Sequence, residues 1–199
     1  MQPAKPFAAS KIAAFASVSS TWRRSISAGI AASAFAREWH SRTNSTARRV
    51  QTAEALFART ELRFMMSLGR ILRGWLDVLD GRPAAFERLG VAVNEWRVGD
   101  QTLHLTHGLV LLARASLLTG NLDIGRAAVR EGIQWGTTHQ QRYLDAEFWR
   151  VDGEILAAAG DPSRAETSVR RALAVADTQG ADWLYQRAEE SLRQLRSVP

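Results

Sequence analysis

The chain of 199 residues contains no cysteine, and only two of its 26 basic residues are lysines, Lys5 and Lys11. The lack of cysteine excludes disulfides, thiolate metal sites and cysteine nucleophiles. A phosphate-binding loop needs the pattern G-x-x-x-x-G-K-[ST], and no glycine precedes either lysine. We therefore expect no nucleotide to be bound through such a loop.

Long hydrophobic runs are lacking too. No stretch reaches 18 consecutive apolar residues, so the sequence predicts no membrane-spanning helix. Residues 12–18, IAAFASV, come closest to the apolar part of a signal peptide but are rich in alanine. We interpret residues 1–21 as a disordered or misassigned N-terminal tail, with a targeting segment as the alternative. We expect a cytoplasmic protein without a membrane partner.

Excess positive charge is missing from most of the chain, although its net charge is +6. Residues 1–50 hold eight Lys or Arg and one acid, Glu38, which gives +7. Residues 51–199 hold 18 Arg and 19 Asp or Glu, which gives −1 and restores the total of +6. Phosphate contacts dominate nucleic-acid affinity, so a nucleic-acid reader needs a basic folded surface. We therefore predict no nucleic-acid partner.

The chain does contain a repeat. Three glycines lie 39 and 40 residues apart, and a small residue stands seven positions before each of them. The glycines are Gly81, Gly120 and Gly160, and the small residues are Gly74, Ala113 and Gly153. A fixed period of this length is typical of helical-hairpin arrays, in which small residues let two helices cross closely. The sequence predicts an all-α fold, an α-α superhelix of about nine helices.

The predicted repeat domain covers residues 22–199, and apolar residues recur within it at helical spacing. It comprises a degenerate hairpin at 22–60, repeats at about 61–100, 101–140 and 141–180, and a capping helix at 182–198. Pro83 is predicted in the first turn of a helix at 83–96. Asp161 is predicted to cap the helix in which Pro162 takes the first position.

The third repeat resembles a tetratricopeptide repeat. Its large, small and turn positions are Trp149, Gly153, Leu156, Gly160, Ala165, Val169 and Ala172. The resemblance implies that the first helix of each hairpin lines a groove, through its second, fifth, ninth and twelfth positions. These positions hold His107, Arg114, Glu147, Arg150, Glu154, Asp182, Tyr185 and Glu189, and in the first hairpin Leu68, Ile71, Trp75 and Val78. The groove is then apolar at its N-terminal end and mixed in charge at its C-terminal end; alternatively, the apolar end packs on a preceding repeat.

A second resemblance covers roughly residues 24–196. The stretches ILRGWLDVLDGR, LLARASLLTGN, RYLDAEFWRVDGEIL and RRALAVADTQGADWLYQRAEESL resemble the helical-repeat C-terminal region of large bacterial signalling proteins. Those proteins have class III adenylate/guanylate cyclase-like and ATPase domains upstream. The resemblance implies a detached or truncated C-terminal portion, without the catalytic and nucleotide-binding residues of the family.

No pattern in the sequence indicates chemistry. His104 and His107 lie one helical turn apart but lack nearby Asp or Glu to complete a metal site. Arg150 stands between Glu147 and Glu154, which favours an ion-pair network over acid–base catalysis. We expect no cofactor, no metal and no enzyme activity, and a protein–protein interaction or regulatory module with a protein or peptide partner. The alternatives are an enzyme with an unrecognised site, a gene remnant, or self-association through the exposed N-terminal repeat face.

Overall fold

The computed structural model describes residues 46, 48–52, 55, 63–98 and 105–197. Residues 50–199 form one compact unit, separate from residues 1–49. The described residues form helices joined by turns and contain no strand, which confirms the all-α fold class for them. The predicted tail 1–21 and most of the predicted hairpin 22–60 lie outside the described residues.

Seven α-helices and one short 3₁₀ helix follow one another between residues 63 and 197. The α-helices are α1 (Arg63–Leu79), α2 (Ala85–Val98), α3 (Leu105–Thr119), α4 (Leu122–Thr138), α5 (Asp145–Ala158), α6 (Pro162–Thr178) and α7 (Asp182–Ser197), and the 3₁₀ helix is Arg142–Leu144. Consecutive α-helices pair into three hairpins followed by α7. We call α1, α3, α5 and α7 the first helices, and α2, α4 and α6 the second helices.

Each α-helix packs against the next one along the chain. The first helices also pack against one another, α1 on α3, α3 on α5 and α5 on α7, and so form a continuous layer. The core lies between this layer and the second helices. Its largest fully buried side chains include Ile71, Leu89, Leu109, Phe148 and Ile155.

Glycines in the left-handed region end four of the helices, as the spacing predicts for Gly81, Gly120 and Gly160. Gly160 has φ +83°, and the next amide, of Asp161, donates to the Leu156 carbonyl at 3.0 Å. This 6→1 bond closes the last turn, and glycine adopts the required φ without the clash of a Cβ. At the turn between α4 and the 3₁₀ helix Gln140 takes this place with φ +57°.

The start of two second helices can be compared with the prediction. Asp161 caps α6 as predicted, since its Oδ1 accepts a hydrogen bond from the Arg164 amide at 3.1 Å and Pro162 is the first helical residue. The prediction for the first hairpin is wrong, because α2 begins at Ala85 and not at Pro83. Ala84 has φ +53°, which breaks the helical path after the proline.

Small residues allow the hairpin helices to cross closely, as predicted. A Cβ on Gly74 of α1 would lie 3.0 Å from the Leu89 Cα of α2. A Cβ on Gly153 of α5 would lie 2.4 Å from Val169 Cγ2 of α6. Gly132 of α4 has the same role between hairpins, because its Cβ would lie 2.0 Å from Cζ of Phe148. These positions therefore have a structural reason to be small.

Candidate functional site

The first helices line a groove with a volume of about 1060 Å³. All four first helices contribute side chains, with α5 supplying only Glu147. The turns before α5 and α7 complete the wall. The lining residues are Leu68, Ile71, Leu72, His107, Val110, Leu111, Arg114, Gln140, Arg142, Tyr143, Leu144, Glu147, Gln179, Ala181, Trp183, Leu184 and Arg187. We call this surface the groove.

One end of the groove is apolar. Leu68, Ile71 and Leu72 of α1 lie there beside Val110 and Leu111 of α3. Ile71 is fully buried and Val110 nearly so, whereas Leu68, Leu72 and Leu111 are half-buried. The groove therefore has a floor that belongs to the core, with accessible leucines above it.

The other end of the groove rests on a buried set of charges, which we call the charge cluster. It comprises Glu147, Arg150 and Glu154 of α5 with Arg187 and Ser191 of α7. Arg150 donates to both carboxylate oxygens of Glu147, from Nε at 2.8 Å and from Nη2 at 2.9 Å. It also pairs with Glu154, and its Nη1 lies 3.1 Å from Ser191 Oγ. Two parallel hydrogen bonds of this kind fix the relative orientation of both side chains.

The charge cluster joins α5 to α7. Arg187 of α7 lies 3.0 Å from Glu147 Oε1 through Nη2, and the Ser191 hydroxyl donates to Glu154 Oε1 at 2.8 Å. Glu147 is only 2% exposed and Arg150 6% exposed. Burying charged side chains this completely costs free energy unless they are paired. The ion pairs and hydrogen bonds of the charge cluster therefore explain how α5 can place charged residues against α7.

The cluster changes the pKa of its members in opposite directions. Burial alone would raise the pKa of Glu147, but the hydrogen bonds and charge of Arg150, with the charges of Arg187 and Arg114, lower it overall. Burial alone would lower the pKa of Arg150, and its bonds to Glu147 and Glu154 raise it. Both groups are therefore held in their charged forms.

Arg114 of α3 stands next to the cluster without joining it. Its guanidinium lies 4.8 Å from the centre of the Trp75 ring. No carboxylate of the described residues lies within ion-pair distance of it, although it is half-buried. Burial lowers the pKa of Arg114, and the positive charges of Arg187 and Arg150 lower it further. Arg114 thus lies at the groove wall against an aromatic ring, with Glu147 and Glu154 acting on it through their charge but outside ion-pair distance.

Aromatic and hydroxyl groups form the rim. Tyr143 is 44% exposed, and its Oη lies 3.1 Å from Thr106 Oγ1 and 3.2 Å from His107 Nδ1. Trp183 is 56% exposed, and the guanidinium of Arg187 lies 5.8 Å from its ring centre. Large exposed aromatic side chains beside an apolar floor provide contact area that a monomer does not use.

The structure brings together some of the residues that the sequence predicts for a groove, and separates others. Leu68, Ile71, His107, Arg114 and Glu147 line it. Trp75 lies under Arg114, and Arg150 and Glu154 belong to the charge cluster behind the wall. Asp182, Tyr185, Glu189 and Val78 are not among the residues that line the groove.

The packing of the helices explains where these residues lie. Val78 is 8% exposed and belongs to the core at the far end of α1. α7 packs through the stripe Leu184, Ala188 and Ser191, which turns Tyr185 towards solvent. Arg150 is bonded to Glu147 and Glu154 of its own helix, and both Arg150 and Glu154 contact Ser191 of α7.

Twelve of the 17 lining residues were missed by the sequence reasoning, among them Tyr143, Trp183 and Arg187. The signal for Arg187 and Trp183 was present, because they flank Leu184 and Ala188 in the apolar stripe of α7. Tyr143 gave no signal in the sequence; it reaches the groove from the 3₁₀ helix Arg142–Leu144.

In the described part of the chain, no three His, Asp or Glu side chains come together in a way that could hold a metal ion. None of the described helices combines the length and the apolar character needed to cross a membrane. Comparisons with protein-family models, curated proteins and solved structures gave no match for this chain.

Proposed function

We propose that the chain is a non-catalytic interaction module whose groove takes an amphipathic helical segment of a protein partner. The observation that supports this proposal is the groove itself, with an apolar floor bordered by Trp183, Tyr143 and a half-buried Arg114. Aromatic and arginine side chains around an apolar centre are the residues that most often dominate binding energy at protein interfaces. An amphipathic helix has the matching apolar stripe.

The arrangement of the helices is compatible with such a role. The first helices pack side by side, so residues from three hairpins reach one surface. In helical arrays this layer provides an extended binding surface. We further propose that the hairpins wind as a tetratricopeptide-like, right-handed superhelix.

The sequence resemblance supplies the proposed context. The stretches ILRGWLDVLDGR and RYLDAEFWRVDGEIL lie on α1 and around α5, the helices at the two ends of the groove. Because they resemble the C-terminal region of cyclase-like or ATPase signalling proteins, we propose a regulatory interaction within such a system. This part of the proposal rests on the resemblance alone.

Peptide display on the full chain tests the proposal. A random library of 16-residue peptides is selected on the wild-type chain, and each enriched peptide is then measured against two variants. Leu111→Glu places a charge on the apolar floor, and Leu118→Glu places the same charge on α3 at a side chain that is 46% exposed and does not line the groove. We expect binding to be lost in Leu111→Glu and kept in Leu118→Glu, because only the first charge would be buried by the peptide.

Two results would overturn the proposal. One is an enriched set that binds both variants as well as the wild-type chain, which would put the interaction surface elsewhere. The other is a concentration-dependent dimer of the wild-type chain that Leu111→Glu converts to a monomer, measured by light scattering. That result would make the groove a self-association surface. Circular dichroism of both variants checks that they remain helical.

A further inference from the structure

We infer that the partner segment carries an acidic side chain, which Arg114 binds at the groove wall with Arg187 beside it. This inference rests on the proposed function, because it names the chemistry of the partner in the same groove. Three features of the molecule support it: the charge balance at this end of the groove, the position of Arg114 relative to the apolar floor, and the positive charge of residues 1–50.

The charges at this end of the groove do not balance. Arg114, Arg150 and Arg187 face two carboxylates, Glu147 and Glu154. Arg150 is bonded to both carboxylates, and Arg187 to Glu147. Arg114 is the cation left over in this set. An added carboxylate would supply the missing negative charge.

Arg114 is also placed where a bound segment would reach it. It lies three residues after Leu111 and four after Val110 on α3, so the three side chains share one face of the helix. The guanidinium lies over the Trp75 ring at 4.8 Å, and a ring contact of this kind uses none of its N–H donors in a hydrogen bond. Guanidinium is the side chain best suited to bind a carboxylate through two parallel hydrogen bonds. An acid within about one helical turn of an apolar anchor fits this geometry.

The chain's own N-terminal segment has the wrong charge for this site. Residues 1–50 carry eight Lys or Arg and a single acid, Glu38. Like charges facing one another at an interface oppose binding. An acidic partner segment is therefore the occupant that the charges favour.

The display selection described above tests this inference through the composition of the peptides. Peptides that bind the wild-type chain and fail on Leu111→Glu define the groove-dependent set. We expect that set to be enriched in Asp or Glu three or four positions from a large apolar residue. A groove-dependent set without acidic enrichment would overturn the inference and leave the proposed function standing. An empty groove-dependent set would overturn both.

A double-mutant cycle then tests the pairing itself. The best groove-dependent peptide and its Glu→Gln form are titrated against the wild-type chain and Arg114→Gln by fluorescence anisotropy. We expect about tenfold weaker binding on either single change, and little further loss on combining them, because both remove one charge pair. Additive losses would show that Arg114 and the acid do not meet, and would overturn the inference.

The chain offers a matched control for Arg114. Arg171 lies 3.8 Å over the Trp149 ring, the same kind of contact, but belongs to α6 and does not line the groove. Arg171→Gln should leave peptide affinity unchanged within about twofold, since a distant exposed charge contributes little. A loss equal to that of Arg114→Gln would assign the effect to general charge and overturn the inference.

Discussion

The first hairpin, α1 and α2, and the third, α5 and α6, have the same arrangement but different chemistry on the face of their first helix. Counted from the crossing glycines Gly74 and Gly153, Ile71 of α1 corresponds to Arg150 of α5. Both side chains are buried, Ile71 at 1% exposed and Arg150 at 6%. Ile71 is held in place by apolar packing, whereas Arg150 is held by ion pairs.

This difference shows which parts of the hairpin determine its geometry. The crossing glycine and the left-handed glycine at the turn are shared by both hairpins. The face of the first helix is not shared, so its chemistry can change while the backbone arrangement is kept. An apolar face tolerates any neighbour of suitable shape, whereas a buried carboxylate requires specific donors.

Removing one partner from the charge cluster should have the largest effect. Glu147→Ala leaves Arg150 buried without its two hydrogen bonds to Glu147 and takes the carboxylate from Arg187. We expect it to lower the free energy of unfolding by about 3–5 kcal/mol. Leu68→Ala, at the corresponding position of α1, should cost only about 1 kcal/mol, because Leu68 is half-buried. Urea unfolding followed by circular dichroism measures both, and equal losses would contradict the comparison.

Alanine at the two crossing glycines should lower the free energy of unfolding by different amounts in the two hairpins, and by less than Glu147→Ala does. At Gly153 the added Cβ meets Val169 Cγ2 at 2.4 Å and the Ala165 carbonyl oxygen at 2.9 Å, so we expect a loss of about 2–3 kcal/mol. At Gly74 the nearest atom is Leu89 Cα at 3.0 Å, and a loss of about 1 kcal/mol is expected. The same unfolding measurement applies.

Gly90 provides the control for these substitutions, because a Cβ there meets nothing within 4 Å. Gly90→Ala should raise the free energy of unfolding by about 0.5–1 kcal/mol through helix propensity. If Gly153→Ala were stabilising as well, the close crossing of α5 and α6 would be in doubt.

Acid should weaken the charged hairpin more than the apolar one. The folded-state pKa of Glu147 is lowered, since the bonds and charge of Arg150 and the charges of Arg187 and Arg114 outweigh burial. Its contribution is therefore complete above the unfolded-state pKa of about 4.5 and is lost as the pH falls through the lower folded value. The difference in the free energy of unfolding between the wild-type chain and Glu147→Gln should narrow as the pH falls from 5 to 2. It should not disappear completely. A constant gap in urea titrations would contradict this sign.

The smallest expected effect concerns the turn of the first hairpin. Ala84 has φ +53°, while no residue of the corresponding turn of the third hairpin other than Gly160 has a positive φ. Ala84→Gly removes the Cβ strain and should raise the melting temperature slightly, for a gain of about 0.5 kcal/mol after the entropy of the unfolded chain is counted. Ala159→Gly, next to the third turn at ordinary φ, is the control and should destabilise.

Local chemistry explains what could be predicted from the sequence. The turn at Gly160, the cap at Asp161 and the crossing at Gly153 each depend on a few neighbouring residues. The start of α2 could not be read in the same way, because Pro83 fits both a first helical turn and the turn before it.

Only part of the candidate site could be predicted, because the repeat spacing indicates some groove residues and the packing between helices determines the others. His107, Arg114 and Glu147 follow from the repeat spacing; His107 and Glu147, for example, both stand six positions before the small residue of their helix, Ala113 or Gly153. On α7 the groove is lined by Trp183, Leu184 and Arg187 and not by the residues that the spacing indicates. The ion pair between Arg187 and Glu147 joins residues 40 positions apart, and such a contact depends on how the helices pack.

The nearest-neighbour packing has a consequence for how the protein opens. Each described α-helix packs mainly on helices one or two places away along the chain, so α7 can detach while α1 to α3 stay folded. Amide hydrogen exchange should then be graded, with fast exchange in α7 and the slowest in α3 to α5, which have neighbours on both sides. Since α7 supplies Trp183 and Arg187, the groove would lose one wall whenever that last helix frays.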